Sequence, residues 1–120
     1  MTTQKVNIAE KFAGFTERWA PRRIARVNDY EVKAARLHGE FVWHSHEDTD
    51  EMFLVVSGTL TIRLRDDEVV LRPGELYVVP RGVEHLPVAQ EEVSILLFEP
   101  TGTRNTGDRG GERTREPVDA

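Results

Sequence analysis

Residues 39–58 read GEFVWHSHEDTDEMFLVVSG, and residues 74–85 read GELYVVPRGVEH. In spacing this is Gly39-x4-His44-x-His46-x4-Glu51-x6-Gly58, then Gly74-x5-Pro80-x-Gly82-x2-His85. Three histidines and one glutamate are the side chains that a divalent metal needs. The glycines and prolines around them are turn residues, set between short apolar runs that a sheet would have to fold over one another.

Working outward, the period from Tyr30 to Phe98 is two. Short apolar runs alternate with turn signals at Gly39, Gly58, Asp66-Asp67, Pro73-Gly74, Pro80-Arg81-Gly82 and Pro87. Leu60, Ile62 and Leu64 share one strand face, and Asp66-Asp67 suits a tight hairpin between residues 60–65 and 68–72. Glu51, Phe53 and Val55 share a face, while Met52, Leu54 and Val56 give that strand a second apolar face. Such a strand is expected to be covered on both sides, by the fold's interior and by the N-terminal helix, a second subunit or both. Many short strands without intervening helices indicate an all-β sandwich or barrel rather than an α/β fold.

The flanks read differently. Asn7-Ile8-Ala9-Glu10 has the form of a helix cap with its acid at the third helical position, and Ile8, Phe12 and Phe15 fall on one helical face. A short helix over 8–15 is expected, docked on the rest because it is too short to stand alone. Trp19 and Pro21 suggest a packed, irregular crossing, and Arg22, Arg23 and Arg26 a solvated basic face. Residues 101–120 hold four glycines, many charges and almost no large apolar residue. They are expected to form a mobile tail or loosely attached arm, with Asn105-Thr106-Gly107 as a turn. The expected division is an N-terminal helix and packing arm over 1–28, a β domain over 29–100 and the tail over 101–120.

Composition removes several function classes. The chain has 120 residues, enough for one domain with one hydrophobic core. No run approaches the roughly 18 apolar residues of a membrane span, and no signal-peptide stretch opens the chain. The expectation is a cytoplasmic protein with no membrane partner. Sixteen basic against twenty-one acidic residues give a formal charge of −5, so a nucleic-acid partner is not expected. With no cysteine, any metal site must use nitrogen and oxygen donors.

His44 and His46, two apart, point to one side of a strand, and Glu51 can join them if it enters the next strand facing inward. His85 must return from a distant strand, which the turns at Pro73-Gly74 and Pro80-Arg81-Gly82 allow. Neutral imidazoles and one carboxylate hold a borderline divalent ion and leave two of six octahedral positions open. Iron, manganese, nickel, zinc, copper and cobalt all accept such donors, so one divalent transition metal per chain is expected without its identity. Calcium and magnesium are poor matches to three nitrogens. An isolated His-x-His pair, or Glu51 alone, would read as ordinary surface polarity; the combination at these offsets does not.

This pattern closely resembles the two motifs of the cupin superfamily. The first is matched by Gly39, His44, His46, Glu51 and Gly58, with one residue fewer after the first glycine than is commonest. The second is matched by Gly74, Pro80, Gly82 and His85, with Ala89 where an asparagine often ends it. The resemblance covers residues 30–98 and implies a small single-domain cupin: an all-β double-stranded β-helix, the jelly-roll cupin barrel of the RmlC-like type, with a short N-terminal helix. Phe41–Gly58 and Val79–His85 also resemble small cupins often labelled similar to mannose-6-phosphate isomerase, a fold-level analogy.

The expected function is a metalloenzyme acting on a small organic substrate by Lewis-acid or oxygen-activating chemistry. Phe41, Trp43, Phe53 and Tyr77 are the aromatic candidates for the substrate wall, each also readable as core, and the Tyr77 hydroxyl could orient substrate. Strand parity sets Trp43 opposite His44. No separate general acid or base stands out, and His38 is expected at the surface. The alternatives are a non-catalytic binding or sensor module, a sugar or sugar-phosphate isomerase, and a homo-oligomer with a structural metal. A homodimer is expected.

Overall fold

The structure is a computed structural model and describes residues 5–120. Helix α1 (Ile8–Ala13) is capped by Asn7, whose side chain accepts a hydrogen bond from the Glu10 N–H at 3.0 Å. It stops at Gly14, two residues earlier than the apolar spacing suggests, because the Gly14 N–H turns back to the Lys11 carbonyl. Phe12 and Phe15 are buried against Ile24, Ala34 and Leu96, so the short helix is held by packing.

The strands are β1 (Arg22–Val27), β2 (Tyr30–Glu40), β3 (Glu51–Ser57), β4 (Leu60–Leu64), β5 (Glu68–Leu71), β6 (Leu76–Val79), β7 (His85–Pro100) and β8 (Val118–Asp119). They form one sheet in the order β5-β4-β7-β2-β1-β8, with β3 attached to β7 and β6 attached to β3. The hairpin of β4 and β5 spans Asp66-Asp67 as its sequence suggests.

Two long strands carry the architecture. The register of β2 on β7 jumps from Leu37↔Val93 to Gly39↔Ala89, so one residue of β2 faces three of β7. That irregularity bends the pair at exposed Gln90, Glu91 and Glu92. Beyond the bend, one edge of β7 changes partner: β4 takes Val88 to His85, and β3 takes Ser94 to Phe98. The halves fold over one core that joins Leu60, Ile62 and Leu86 to Val55, Ile95 and Leu97.

The sheet is not closed into a barrel, which corrects the expected double-stranded β-helix. The architecture is mostly β with a short N-terminal helix and a cupin-like topology. Its path ends at β5 and β8, and β3–β6 is a side branch. The physical reason lies in the strands that would have to close it. β5 and β6 have four residues each and are joined by the Arg72–Glu75 turn rather than a ladder, and the outer edge of β1 is taken by β8.

Pro87, expected as a turn, lies inside β7. Its carbonyl accepts from the Phe41 N–H, and residues 41–43 have left the regular ladder there, so the missing proline N–H costs no strand pairing. On β3 the alternation holds: Glu51, Phe53 and Val55 are buried, and Leu54 packs on the α1 cluster from the other face.

Candidate metal centre

His44, His46, Glu51 and His85 are all buried, and one ligand atom from each lies within 4.8 Å of the others. Glu51 is delivered by the first residue of β3 and His85 by the first residue of β7. His44 and His46 sit on an irregular segment rather than a regular strand. What fixes that segment is a set of backbone bonds: His44 and His85 exchange N–H···O bonds of 3.1 and 2.9 Å, and the Gly82 N–H donates to the His46 carbonyl at 2.8 Å. The Pro80–Gly82 turn therefore docks directly on the ligand segment, and Asp50 accepts from the Arg81 N–H.

The imidazole tautomers are set by the backbone. Nδ1 of His44 lies 2.9 Å from the Val42 carbonyl, and Nδ1 of His85 lies 2.9 Å from the Val83 carbonyl. A carbonyl can only accept, so each Nδ1 carries a proton, and in the neutral ring Nε2 is the lone pair available to a metal. Nε2 of His85 lies 3.2 Å from Glu51 Oε1. Nε2 of His46 is equally close to that oxygen but off the line of a hydrogen bond, and it is buried without a protein partner.

This donor set fits a transition metal. Ligand bonds of about 2.1 Å put neighbouring donors about 3 Å apart and opposite donors about 4.2 Å apart, close to the spread here. The unspent His46 nitrogen is the donor that a bound cation would satisfy. Four protein donors leave positions for an exogenous ligand, and the mixed nitrogen–oxygen set excludes hard-cation selectivity. The cluster is a 3-His/1-Glu site for one divalent transition metal.

The electrostatics suit ligation. Burial, then the neighbouring His85, lowers the His44 pKa to about 4, keeping it neutral and able to coordinate. Burial pushes the Glu51 carboxyl up, but His46, His85 and the carboxyl of Glu99 more than offset it, and Glu51 is held well below the usual range. Glu99 goes the other way, raised by burial and by the Glu51 charge. The two buried carboxyls are thus pushed in opposite directions, with Glu51 favoured as the anion.

Sequence reading missed the surroundings of that pair. Glu31, Lys33, Ala35 and Leu37 alternate inward on β2, and Glu31 pairs with Glu99 of β7. Lys33 Nζ donates to Glu99 Oε1 at 3.0 Å and lies 3.7 Å from Glu31 Oε2, all three residues being buried. The period-two parity was the available signal, since it places Glu31 and Lys33 on the same face as Ala35 and Leu37.

The aromatic candidates separate into two groups. Phe41 and Phe53 line a small cavity of about 30 Å³ beside His44 and Glu51. Phe41 also stacks on Trp19 at 4.7 Å, and Phe53 meets the His85 ring edge-on. Trp43 lies under the Arg65 guanidinium at 3.8 Å, and Tyr77 is half-buried; neither lines that cavity. On the other side, His46 opens onto a groove of about 540 Å³ between residues 45–49 and residues 100–108. The Asn105–Asp108 segment forms a turn, as expected, and Asn105 also reaches the small cavity. His38 is exposed and lies outside the ligand set.

Residues 35–99 match the family model described as Cupin domain. The chain belongs to the cupin family. A crystal structure of a cupin-2 domain containing protein from Shewanella frigidimarina NCIMB 400 is 52% identical, with a TM-score of 0.79 over 79% of this chain and 93% of that one. Protein NMB1881 from Neisseria meningitidis is 28% identical, with a TM-score of 0.75 over 82% of this cupin and all of that chain (100%). Uncharacterized protein YdbB of Bacillus subtilis (strain 168) is 38% identical over 79 residues, 65% of this cupin and 64% of YdbB's own length. No helix among the described residues is long and apolar enough to cross a membrane.

Proposed function

We propose that this cupin is a metal-dependent enzyme that acts on a small organic molecule entering by the groove at His46. The observation that carries the reading is the pair of backbone-tethered imidazoles, His44 and His85, whose Nε2 atoms converge with Glu51 and the unpartnered Nε2 of His46. A bound metal would supply Lewis acidity toward a substrate oxygen, or dioxygen activation if it is redox-active. The chain's own residues hold the donors neutral or anionic as needed, and Phe41 and Phe53 keep the inner side apolar. Phe41 and Phe53 are the preferred substrate-wall residues, because they border the ligands.

A non-catalytic binding module is the second reading. It is favoured by the inner cavity, which has room for little more than a water or two, and by the commitment of Glu99 and Lys33 to each other. We also propose a homodimer through the outer face of β3 and β6, where Val56, Leu76 and Val78 are exposed beside the stacked pair Tyr30 and Phe98.

Metal analysis of protein purified without an affinity tag, followed by oxygen-uptake and isomerisation screens on iron, manganese and nickel forms, tests the function. About one metal per chain with turnover is the expected result. Ligand binding without turnover across all forms moves the assignment to the binding module, and no metal uptake even after reconstitution sinks both metal-centred readings.

A further inference from the structure

We propose that Lys33 is a positioning residue that locks residues 101–117 as a strap over the metal centre, so that strap closure and metal retention are one linked equilibrium. The proposal rests on the metal-binding reading above and adds to it a second element that the ligand motifs do not contain.

The strap is fastened along its length. At its root the Thr103 carbonyl accepts from Lys33 Nζ, the same ammonium that holds Glu99. Further on, Asp108 grips Ser45, the residue between two ligands: its carboxylate accepts from the Ser45 N–H at 2.9 Å, and its N–H donates to the Ser45 carbonyl at 3.0 Å. Gly107 lies so close to that carbonyl that a side chain there would collide with it. Thr106 is completely buried. Beyond, Arg113 donates to the Glu40 carbonyl and lies over Trp19, and β8 pairs with β1.

A lysine at this position is costly for the fold, because its ammonium is buried where β2 parity would suit a leucine. Its three partners tie β2 to the end of β7 and to the segment that follows it. They are the carboxyls of Glu31 and Glu99 and the Thr103 carbonyl in the first turn of the strap. The strap also forms one wall of the groove that opens on His46. An ion leaving by that groove passes residues whose position Lys33 and Asp108 set. Linkage then requires reciprocity: the factor by which closure favours the bound ion is the factor by which the ion favours closure.

The full-length protein loaded with cobalt(II) tests this by two readouts. Cobalt release into excess chelator is followed by the visible absorption band, and strap opening by tryptic cleavage at Arg104, Arg109, Arg113 and Arg115 with and without metal. In the wild type, bound cobalt should slow strap cleavage several-fold. Lys33→Met should speed release about tenfold and abolish the metal-dependent part of that protection, while the band of the loaded site is unchanged because all four ligands remain. Asp108→Ala, a change at the surface, should act in the same direction and serves if Lys33→Met does not fold. Wild-type release from Lys33→Met, or from Asp108→Ala where it is the one that folds, overturns the proposal, as does strap cleavage indifferent to cobalt in the wild type. A wild type that takes up no cobalt fails earlier, at the metal-binding reading itself.

Discussion

His85 Nε2 and Glu51 Oε1 lie 3.2 Å apart, although 34 positions separate them in the chain. Each is also fixed independently of that contact. Glu51 is fixed by the β3 ladder, where it pairs with Val79, and His85 by its backbone exchange with His44 and by the Val83 carbonyl on its Nδ1. The same Glu51 oxygen is equally close to His46. The ligand residues are therefore set in place by backbone pairings as well as by their contacts with one another.

Because each ligand residue sits on backbone pairings that its side chain does not make, removing a ligand side chain should empty the site while leaving the fold. His46→Ala or Glu51→Ala should lower metal content by tenfold or more at limiting metal, by about the same factor as loss of any of the four donors. His38→Ala should leave it unchanged, since that residue is exposed and outside the cluster. Elemental analysis of the three tag-free variants beside the wild type checks this, and equal loss in His38→Ala would remove the assignment.

Acid should destabilise the metal-free protein through His44. Its folded pKa of about 4 lies below the ordinary value of 6.5, through burial first and His85 second. Above pH 6.5 the imidazole is neutral in both states and contributes no pH dependence. Between pH 6.5 and about 4 the unfolded chain binds a proton that the folded chain refuses, so stability falls by up to roughly 3 kcal/mol across that window. Glu99 has the opposite sign: its pKa is raised by burial and by Glu51, so its contribution is full below the ordinary carboxyl value and is lost as pH rises through the folded one. Urea titrations of apoprotein at stepped pH should give the acid-side slope, and His44→Gln should flatten it.

Residue spacing alone made parts of this molecule legible, and the reason is local. The β4–β5 hairpin needs only Asp66-Asp67 and two alternating runs, and the four ligands need only their offsets and the turns beside them. The bend that makes one strand serve two partners was not legible, because β7 runs 16 residues through Pro87 without a break. Closure of the sheet depends on whether four-residue β5 and β6 reach another edge, a long-range fact that no local pattern encodes. Glu31, Lys33 and Glu99 break the expected polar-out alternation at inward positions, which is where local rules are expected to fail near a functional site.

Gly58 sits at the sheet's bend with φ +85°, and a β-carbon there would lie 2.8 Å from the Glu92 carbonyl oxygen and 3.0 Å from a Val93 methyl. Backbone strain and backbone collision therefore act together. Gly58→Ala should cost about 1–3 kcal/mol of unfolding free energy without changing metal stoichiometry in protein that folds. Chemical denaturation reads the loss, and an unchanged midpoint would mean that β3 and β7 can separate at no cost.

The outer face of β3 and β6 should be closed by a second copy. Leu76 and Val78 are about half exposed, at 54% and 43%, on a strand whose outer edge is unpaired among the described residues. Leu76→Asp with Val78→Asp should turn a dimer into a monomer, since two like charges from each copy at a twofold face cannot be compensated. Light scattering on the full-length protein decides it: a wild-type monomer, or a double variant that remains dimeric, contradicts this interface.

Phe53 joins the core to the centre, being 4% exposed with its ring edge-on to His85 at 6.0 Å. It lines the small cavity beside His44 and Glu51, so shortening it acts on both stability and space. Phe53→Ala should cost about 3–5 kcal/mol, through lost burial and the void left behind. None of the four donors moves with it, because each is fixed by backbone pairings that Phe53 does not make. Metal content should stay near that of the wild type while the enlarged, apolar cavity admits a small hydrocarbon such as benzene. Denaturation midpoints, elemental analysis and benzene binding by NMR measure the three consequences separately. A stable variant with an emptied metal site would show that Phe53 supports the ligands rather than the wall, and would reassign it.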